Sequence, residues 1–278
     1  MPNRLSLTDN WLWSFGMTSA IGQNWLLLRG LSREAGHWGG FLPLLQSRFP
    51  SAQISTLDLP GTGQYYRATS PCSITGITEF ARQQALEQGL SNRPLTIVSL
   101  SLGAMVSWEW MLKYPDEICA AALINTSLAS LSPFYQRLRW QSYPDFFKLL
   151  LQTDRFRREL AIIKCIANRR DEDQEIAAEW ANIQTQRPVS MANTFRQITA
   201  AARYRPKDIK PKPAILLLTG RCDRLVSPAC TDAIHNKWHI QQQNHPWGGH
   251  DLTYDDGAWV ADRLQSWVEQ LRRESKII

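Results

Sequence analysis

Short apolar runs alternate along this chain with segments whose apolar residues recur at helical spacing, and this alternation limits the fold more than any other feature. Each run is bounded by Gly, Pro or polar turns, as is typical of strands covered on both faces. Strands that alternate with helices predict βαβ units and a mostly parallel sheet. The predicted strands are 25–28, 54–59, 95–100, 119–124 and 214–218, and the predicted helices between and after them are 77–88, 104–114 and 258–272.

The segment 129–212 interrupts the alternation. It contains no strand pattern, and its four helical patterns are separated by turn signals. We interpret it as a helical lid inserted into an α/β core formed by residues 1–128 and 213–278. The segment holds 16 Lys and Arg against 9 Asp and Glu, so it carries +7 in a chain whose net charge is +6. The four helical patterns are 133–151, 154–167, 171–186 and 190–203.

Composition excludes several classes of protein. With 44% hydrophobic and 20% charged residues in 278, the chain is typical of globular proteins. Its five cysteines show no C-x-x-C spacing, which argues against a disulfide framework or a zinc site and favours the cytoplasm. Residues 1–16 lack the apolar stretch of a signal peptide, and no run approaches the ~18 apolar residues of a membrane span. We expect no membrane partner, no metal and, since no binding motif accompanies the basic charge, no nucleic acid.

The segment 95–106 holds the strongest chemical signal. An apolar strand leads into Ser99-x-Ser101-x-Gly103, and a helical pattern follows at once. A sharp strand-to-helix turn needs small residues two positions before and two after the exposed side chain, because backbones pass close there. Ser99 and Gly103 hold those positions around Ser101, whereas a turn centred on Ser99 would place Ile97 at the first of them. The spacing therefore predicts Ser101 as a nucleophile.

An acid and a histidine follow Ser101 in the chain order of a Ser–acid–His triad. Asp223 lies on a loop after the strand 214–218, and His250 comes later, behind two glycines. A serine hydroxyl is a weak nucleophile at neutral pH, so a neutral imidazole must take its proton, and a carboxylate fixes the tautomer of that imidazole. His245 and Asp251 are the rival residues, and we expect the first to be a loop residue and the second a structural acid.

Two backbone N–H groups are candidates for an oxyanion hole. The strand 25–28 ends in a turn through Arg29 and Gly30, which places the N–H of Leu31 near the predicted site. The N–H of Leu102 directly follows the nucleophile. Each such donor is typically worth about 10² to 10³ in rate.

These motifs resemble those of the α/β-hydrolase superfamily, and the resemblance extends over nearly the whole chain. In layout the chain is similar to the small lidded esterases, which include pimeloyl-acyl-carrier-protein methyl ester esterases. The resemblance implies the α/β-hydrolase fold, catalysis by Ser101, His250 and Asp223, and no cofactor. It is carried by Arg29-Gly30, Asp58-Leu-Pro-Gly61-Thr-Gly63, the Ser101 turn, Gly220-x-x-Asp223, Gly249-His250-Asp251 and the helical insertion.

Arg29 departs from the family pattern, because members usually have His before the oxyanion glycine. The backbone donor survives this change, and Arg29 is expected either to brace the loop or to bind an anionic substrate. Trp38 and Trp140 are the other candidates for substrate contact. Trp38 follows the oxyanion turn, where it would also pack the first helix, and Trp140 is predicted to form a pocket wall. Asp58 is expected to organise the loop after its strand.

The combined prediction is a serine hydrolase acting on a small-molecule carboxylic ester or thioester. The basic clusters 155–158 and 169–170 leave open two interpretations, a solvated helix face and a docking surface for an acidic carrier such as acyl carrier protein or coenzyme A. Three alternatives use the same fold: a non-catalytic ligand-binding protein, a C–C bond hydrolase and a cofactor-free peroxidase. A serine at the turn argues against dehalogenase or epoxide hydrolase chemistry, for which resembling relatives use aspartate.

Overall fold

The computed structural model describes residues 20–275, except for the side chains at 145–147 and 150. The stretch 1–16, for which no signal peptide is predicted, lies outside the described residues. Six strands form one parallel sheet in the order β2-β1-β3-β4-β5-β6. The strands are β1 (Asn24–Leu28), β2 (Gln53–Leu57), β3 (Leu95–Leu100), β4 (Ile118–Ile124), β5 (Ala214–Gly220) and β6 (Gln241–His245).

Helices cover both faces of the sheet, which explains why its inner strands are almost entirely buried and mainly apolar. Alternate residues of β1 belong to two hydrophobic clusters, one on each face. The first cluster includes α2, α3 and α9, and the second includes α1 and α11. These helices are α1 (Phe41–Arg48), α2 (Ile74–Glu87), α3 (Leu102–Lys113), α9 (Ala229–Trp238) and α11 (Gly257–Glu274), and the short α10 (Leu252–Asp255) precedes the last.

The segment between β4 and β5 is helical in the structure, as the sequence predicts. Its helices are α4 (Phe134–Arg137), α5 (Tyr143–Leu151), α6 (Arg155–Ile166), α7 (Asp173–Gln186) and α8 (Met191–Arg203). The first predicted helix, 133–151, is broken into α4, a 3-10 turn at Trp140–Ser142 and α5. Pro144 explains the break, because proline is accommodated in the first turn of a helix but not in its interior.

The sequence prediction missed β6, α1, α9 and α10. β6 reads Gln-Gln-Gln-Asn-His, and among residues 20–275 it lies at the edge of the sheet, paired with β5 alone. Its polar side chains remain partly exposed there, so it lacks the apolar run that identifies an inner strand. β2 ends at Leu57, two residues earlier than predicted.

No helix in residues 20–275 has the length and apolar character needed to cross a membrane. No disulfide joins any of the five cysteines, all of which lie in the described range.

Candidate functional site

Ser101 occupies a strained turn between β3 and α3, at the carboxyl end of the sheet. Its backbone has φ 57° and ψ −114°, a conformation that L-residues rarely adopt. The turn is tight because β1 passes beside it. A Cβ at Gly103 would lie 2.5 Å from the carbonyl oxygen of Arg29, so only glycine fits there. The small residues predicted around Ser101 therefore have the steric role that the spacing indicated.

Ser99, the other serine of the motif, is fully buried in β3. Its Oγ accepts a hydrogen bond from the Oγ of Ser107 in α3 at 2.9 Å. Ser99 therefore lies inside the sheet, whereas Ser101 lies beyond the carboxyl end of β3.

His250 and Asp223 are in direct contact. The His250 Nδ1 atom lies 2.7 Å from Asp223 Oδ2, and both residues are buried. The other carboxylate oxygen of Asp223 accepts the backbone N–H groups of Leu225 at 2.8 Å and Val226 at 2.9 Å. These bonds fix the position of the carboxylate. The carboxylate in turn fixes the orientation of the His250 ring, as a general base requires.

Asn125 is a positioning residue that the sequence analysis missed. It follows β4 with φ 47°, and its amide nitrogen donates to the carbonyl oxygens of Gly249 at 2.9 Å and His250 at 2.8 Å. Its amide oxygen accepts the N–H of Gly220 at 2.9 Å. One side chain thus joins the end of β4 to the loops that carry the acid and the histidine. A polar residue directly after the buried run of β4 was the available signal.

Arg29 braces the site. Its guanidinium forms an ion pair of 2.5 Å with Asp251 and lies 4.8 Å from the ring centroid of Trp38. Burial alone would raise the pKa of Asp251, but the Arg29 charge and hydrogen bonds outweigh it and lower that pKa below its ordinary value. Asp251 also caps α10 by accepting the N–H of Tyr254. Of the two roles left open for Arg29, the geometry favours bracing, and Asp251 has the expected structural role.

His245 was predicted to be a loop residue, but it is the last residue of β6. Its Nδ1 accepts the N–H of Gly248 at 2.8 Å, and its Nε2 lies 3.2 Å from Asp256. Asp58 has the expected structural role, because its carboxylate accepts the N–H groups of Ala35 at 2.7 Å and Gln64 at 2.9 Å.

A cavity of about 420 Å³ lies at the carboxyl end of the sheet, under the helices α4 to α8. Ser101, His250, Leu31 and Leu102 all line it. Within the described range, no group accepts the backbone N–H of Leu31 or Leu102, so both donors are free to face a ligand. The wall contributed by the helices is mainly apolar and includes Phe134, Tyr143, Leu149, Ile162, Phe195 and Ile198.

Trp38 and Trp140 do not line the cavity, which corrects their prediction as substrate contacts. Trp38 is buried against Phe41 of α1, with ring centroids 5.7 Å apart. Trp140 is 63% exposed. Trp140 lies after the end of α4, where the preceding Arg139 donates its N–H to the carbonyl oxygen of Leu225 at 2.9 Å.

No group of three or more His, Cys, Asp and Glu side chains is placed to hold a metal ion among residues 20–275.

Known proteins resemble this chain in sequence and in fold. A pimeloyl-[acyl-carrier protein] methyl ester esterase from Methylococcus capsulatus is 33% identical over 107 residues, and the match spans 38% of this chain and 38% of that relative. A lipase-esterase related protein from Clostridium acetobutylicum is 12% identical with a TM-score of 0.67, covering 88% of this chain and 94% of its own. A thermophilic esterase from Thermogutta terrifontis is 17% identical with a TM-score of 0.65, covering 90% of each chain.

The two structural similarities, at such low identity, show a shared fold and no more. The model of the alpha/beta hydrolase family matches residues 25–263, which is most of the sequence. The chain therefore belongs to the alpha/beta hydrolase family.

Proposed function

We propose that this protein is a serine hydrolase that cleaves a carboxylic ester or thioester through an acyl-enzyme on Ser101. The observation that carries the proposal is the 2.7 Å contact between His250 Nδ1 and Asp223 Oδ2, made by a histidine that shares its cavity with Ser101. A buried, oriented imidazole that lines the same cavity as a strained serine fits the arrangement that activates a hydroxyl nucleophile.

The chemistry follows from the roles of these three side chains. Ser101 Oγ attacks the carbonyl carbon of the ester while His250 Nε2 removes the hydroxyl proton. The tetrahedral intermediate then collapses, and His250 gives that proton to the departing alcohol or thiol. Water, deprotonated by the same imidazole, attacks the acyl-enzyme, and the acid is released as His250 returns that proton to the departing Ser101 Oγ. Asp223 stays ionised throughout and stabilises the imidazolium.

The backbone donors of Leu31 and Leu102 are proposed to hold the oxyanion. Both residues line the cavity beside Ser101, and neither N–H has an acceptor in the part of the chain that the structure describes. Unpaired, rigid donors aimed at developing negative charge need no reorganisation during the reaction.

The residues 129–212 are proposed to act as a lid on this site. Their helices α4 to α8 supply most of the apolar cavity wall, which fits the acyl or alcohol chain of an ester. Several polar contacts join these helices to the core, including an ion pair of 2.6 Å between Arg33 and Glu159.

An acidic carrier remains part of the proposal, and the exposed arginines of the lid, uncompensated within the described part of the chain, are where we propose that it would dock. Arg169 is paired with Asp171 and Glu172, so its charge is already compensated. Arg155 and Arg157 are exposed on α6. Since the relative from Methylococcus capsulatus is named for an acyl-carrier-protein ester, carrier-bound and free esters are both substrates to assay.

The test of the proposed function is intact-protein mass spectrometry after treatment with a fluorophosphonate. Wild type should gain one adduct, and Ser101→Ala should gain none. Ser99→Ala is the matched control, because Ser99 belongs to the same motif but is bonded to Ser107 inside the sheet; it should gain the adduct as wild type does.

An adduct that persists in Ser101→Ala would contradict the assignment of the nucleophile. A folded wild type that gains no adduct and hydrolyses none of a panel of esters and thioesters would favour the non-catalytic binding protein instead. C–C bond hydrolysis is distinguished by assaying a vinylogous diketone alongside the esters.

A further inference from the structure

Arg137, the last residue of α4, is a buried cation in the wall of the cavity. It is 8% exposed and lines the cavity that also holds Ser101 and His250. Its Nε donates to the Oγ of Ser127 at 3.2 Å. Ser127 is close to the nucleophile in space, since the neighbouring Thr126 donates its hydroxyl to the carbonyl oxygen of Ser101 at 3.2 Å.

No carboxylate in the described part of the chain compensates the charge of Arg137. The other two buried arginines of the cavity wall are each paired, Arg29 with Asp251 at 2.5 Å and Arg33 with Glu159 at 2.6 Å. The fourth arginine of the wall, Arg158, is only half-buried, so water reaches it. A guanidinium keeps its charge at neutral pH, and a buried charge without a counter-ion is costly.

The influences on the pKa of Arg137 agree with the absence of a neighbouring carboxylate. Burial is the main influence on its pKa and lowers it from the ordinary guanidinium value, while the smaller effects of Cys230 and Arg205 oppose each other. No acidic side chain raises it.

The structural role of Arg137 uses only part of its hydrogen-bonding capacity. Its two terminal nitrogens donate to the carbonyl oxygens of Ala202 at 3.0 Å and Ala201 at 2.6 Å, in the last turn of α8. A cation there complements the negative end of the helix dipole. Together with the bond to Ser127, these contacts occupy three of the five N–H groups of a guanidinium. They hold the side chain in place and leave two N–H groups without an acceptor in the described part of the chain.

We propose that Arg137 binds a carboxylate of the substrate, so that the preferred ester is one that also carries a free carboxylate. This inference rests on the proposed hydrolase function and specifies its substrate class. A carboxylate entering the cavity would supply the missing counter-charge, and hydrogen bonds between a guanidinium and a carboxylate are charge-assisted and strong. The apolar wall would cover the methylene chain between the carboxylate and the ester.

The experiment compares matched esters in a pH-stat at neutral pH. The charged series is the monomethyl esters of straight-chain dicarboxylic acids with four to eight carbons, and the uncharged series is the methyl esters of the monocarboxylic acids of equal length. For wild type, kcat/KM should favour the charged ester by about 10- to 100-fold at one or more chain lengths, since hydrogen bonds to a charged group are typically worth about 1.5–3 kcal/mol.

Two variants locate the preference. Arg137→Gln should lose it, so that the ratio of kcat/KM for the charged ester to that for the uncharged ester falls to about one within the variant, and Arg137→Lys should restore part of it by restoring the charge. Arg205→Gln is the matched control, because it removes a neighbouring positive charge on an exposed residue that donates to the carbonyl oxygen of Ala129 outside the cavity wall. It should keep the preference.

The first outcome that would overturn the proposal is measured on wild type and needs no variant. If wild type prefers the uncharged ester at every chain length, the carboxylate site is refuted while the hydrolase function stands. An equal loss of preference in Arg205→Gln would show a long-range charge effect and would also refute it. If wild type hydrolyses neither series, binding of the monoesters to Ser101→Ala is measured by calorimetry. Binding that is retained when Arg137→Lys is added to this variant and abolished when Arg137→Gln is added supports the anion site without the hydrolase function. The absence of binding refutes both.

Discussion

Replacing Asp223 by Asn tests how His250 is oriented, because the structure fixes which way the new amide must face. One carboxylate oxygen of Asp223 accepts the backbone N–H groups of Leu225 and Val226. In Asp223→Asn the amide oxygen must keep that position, since an NH₂ group there would face two donors. The NH₂ group therefore points to His250 Nδ1 in place of the oxygen now 2.7 Å away.

This geometry selects the wrong tautomer of the imidazole. An NH₂ group donates to Nδ1, so Nδ1 must be unprotonated and the ring proton moves to Nε2. A protonated Nε2 is unable to take the proton of Ser101. Loss of the correct tautomer in a Ser–His–Asp triad lowers kcat by about 10⁴-fold, which corresponds to roughly 5.4 kcal/mol at about 1.36 kcal/mol for each factor of ten.

The assay is kcat/KM for the best ester substrate in wild type and Asp223→Asn, with thermal unfolding to confirm the fold. Asp232→Asn is the control for removing one negative charge, because Asp232 is partly exposed and pairs with Arg221 at 3.0 Å; its activity should stay within about twofold of wild type. If Asp223→Asn kept more than a tenth of wild-type activity, the tautomer argument would be wrong.

Three further predictions concern stability. Gly103→Ala places a Cβ 2.5 Å from the carbonyl oxygen of Arg29 and should lower the free energy of unfolding by about 1–3 kcal/mol, whereas Gly40→Ala meets nothing within 4 Å; equal urea midpoints would contradict the steric argument. Arg29→Met leaves the buried carboxylate of Asp251 unpaired and should cost about 3–5 kcal/mol, part of which Asp251→Asn should recover in a double-mutant cycle; strictly additive effects would show no coupling. Burial and then neighbouring guanidinium charges lower the pKa of His37 well below 6.5, so on acidification the unfolded chain binds a proton at this residue before the folded chain does. The free energy of unfolding should therefore fall as pH drops below about 6.5, by up to about 1.4 kcal/mol per pH unit. In chemical denaturation at several pH values, His37→Gln should flatten that decline.

The inner strands and the main helices were predictable because both faces of the sheet are covered. Leu26 and Leu27 are fully buried on opposite faces, and burial on both sides produces the apolar run that the sequence displays. β6 lacked that signal because an edge strand with one neighbour tolerates polar side chains on a partly wet surface.

Residues of the site were predictable where a local motif constrains the backbone. Ser101 lies in a tight turn, and Gly103, two positions later, is the residue that such a turn requires. Asn125 and Arg137 were not predictable in this way, since both act through contacts with residues distant in sequence, at 249–250 and 201–202. Trp140 was assigned to the cavity by its aromatic neighbours, but a helix break two residues earlier turned it to solvent.

The ion pair between Arg29 and Asp251 joins residues 222 positions apart, and this separation has a consequence for biosynthesis. The turn proposed to bind the oxyanion is made first by the ribosome, but its buried guanidinium receives its partner only after 222 further residues have been added. A nascent chain therefore holds this part of the molecule unfinished until Asp251 has emerged from the ribosome. Premature termination anywhere before Asp251 should leave a product that is recognised by proteases and chaperones and hydrolyses nothing.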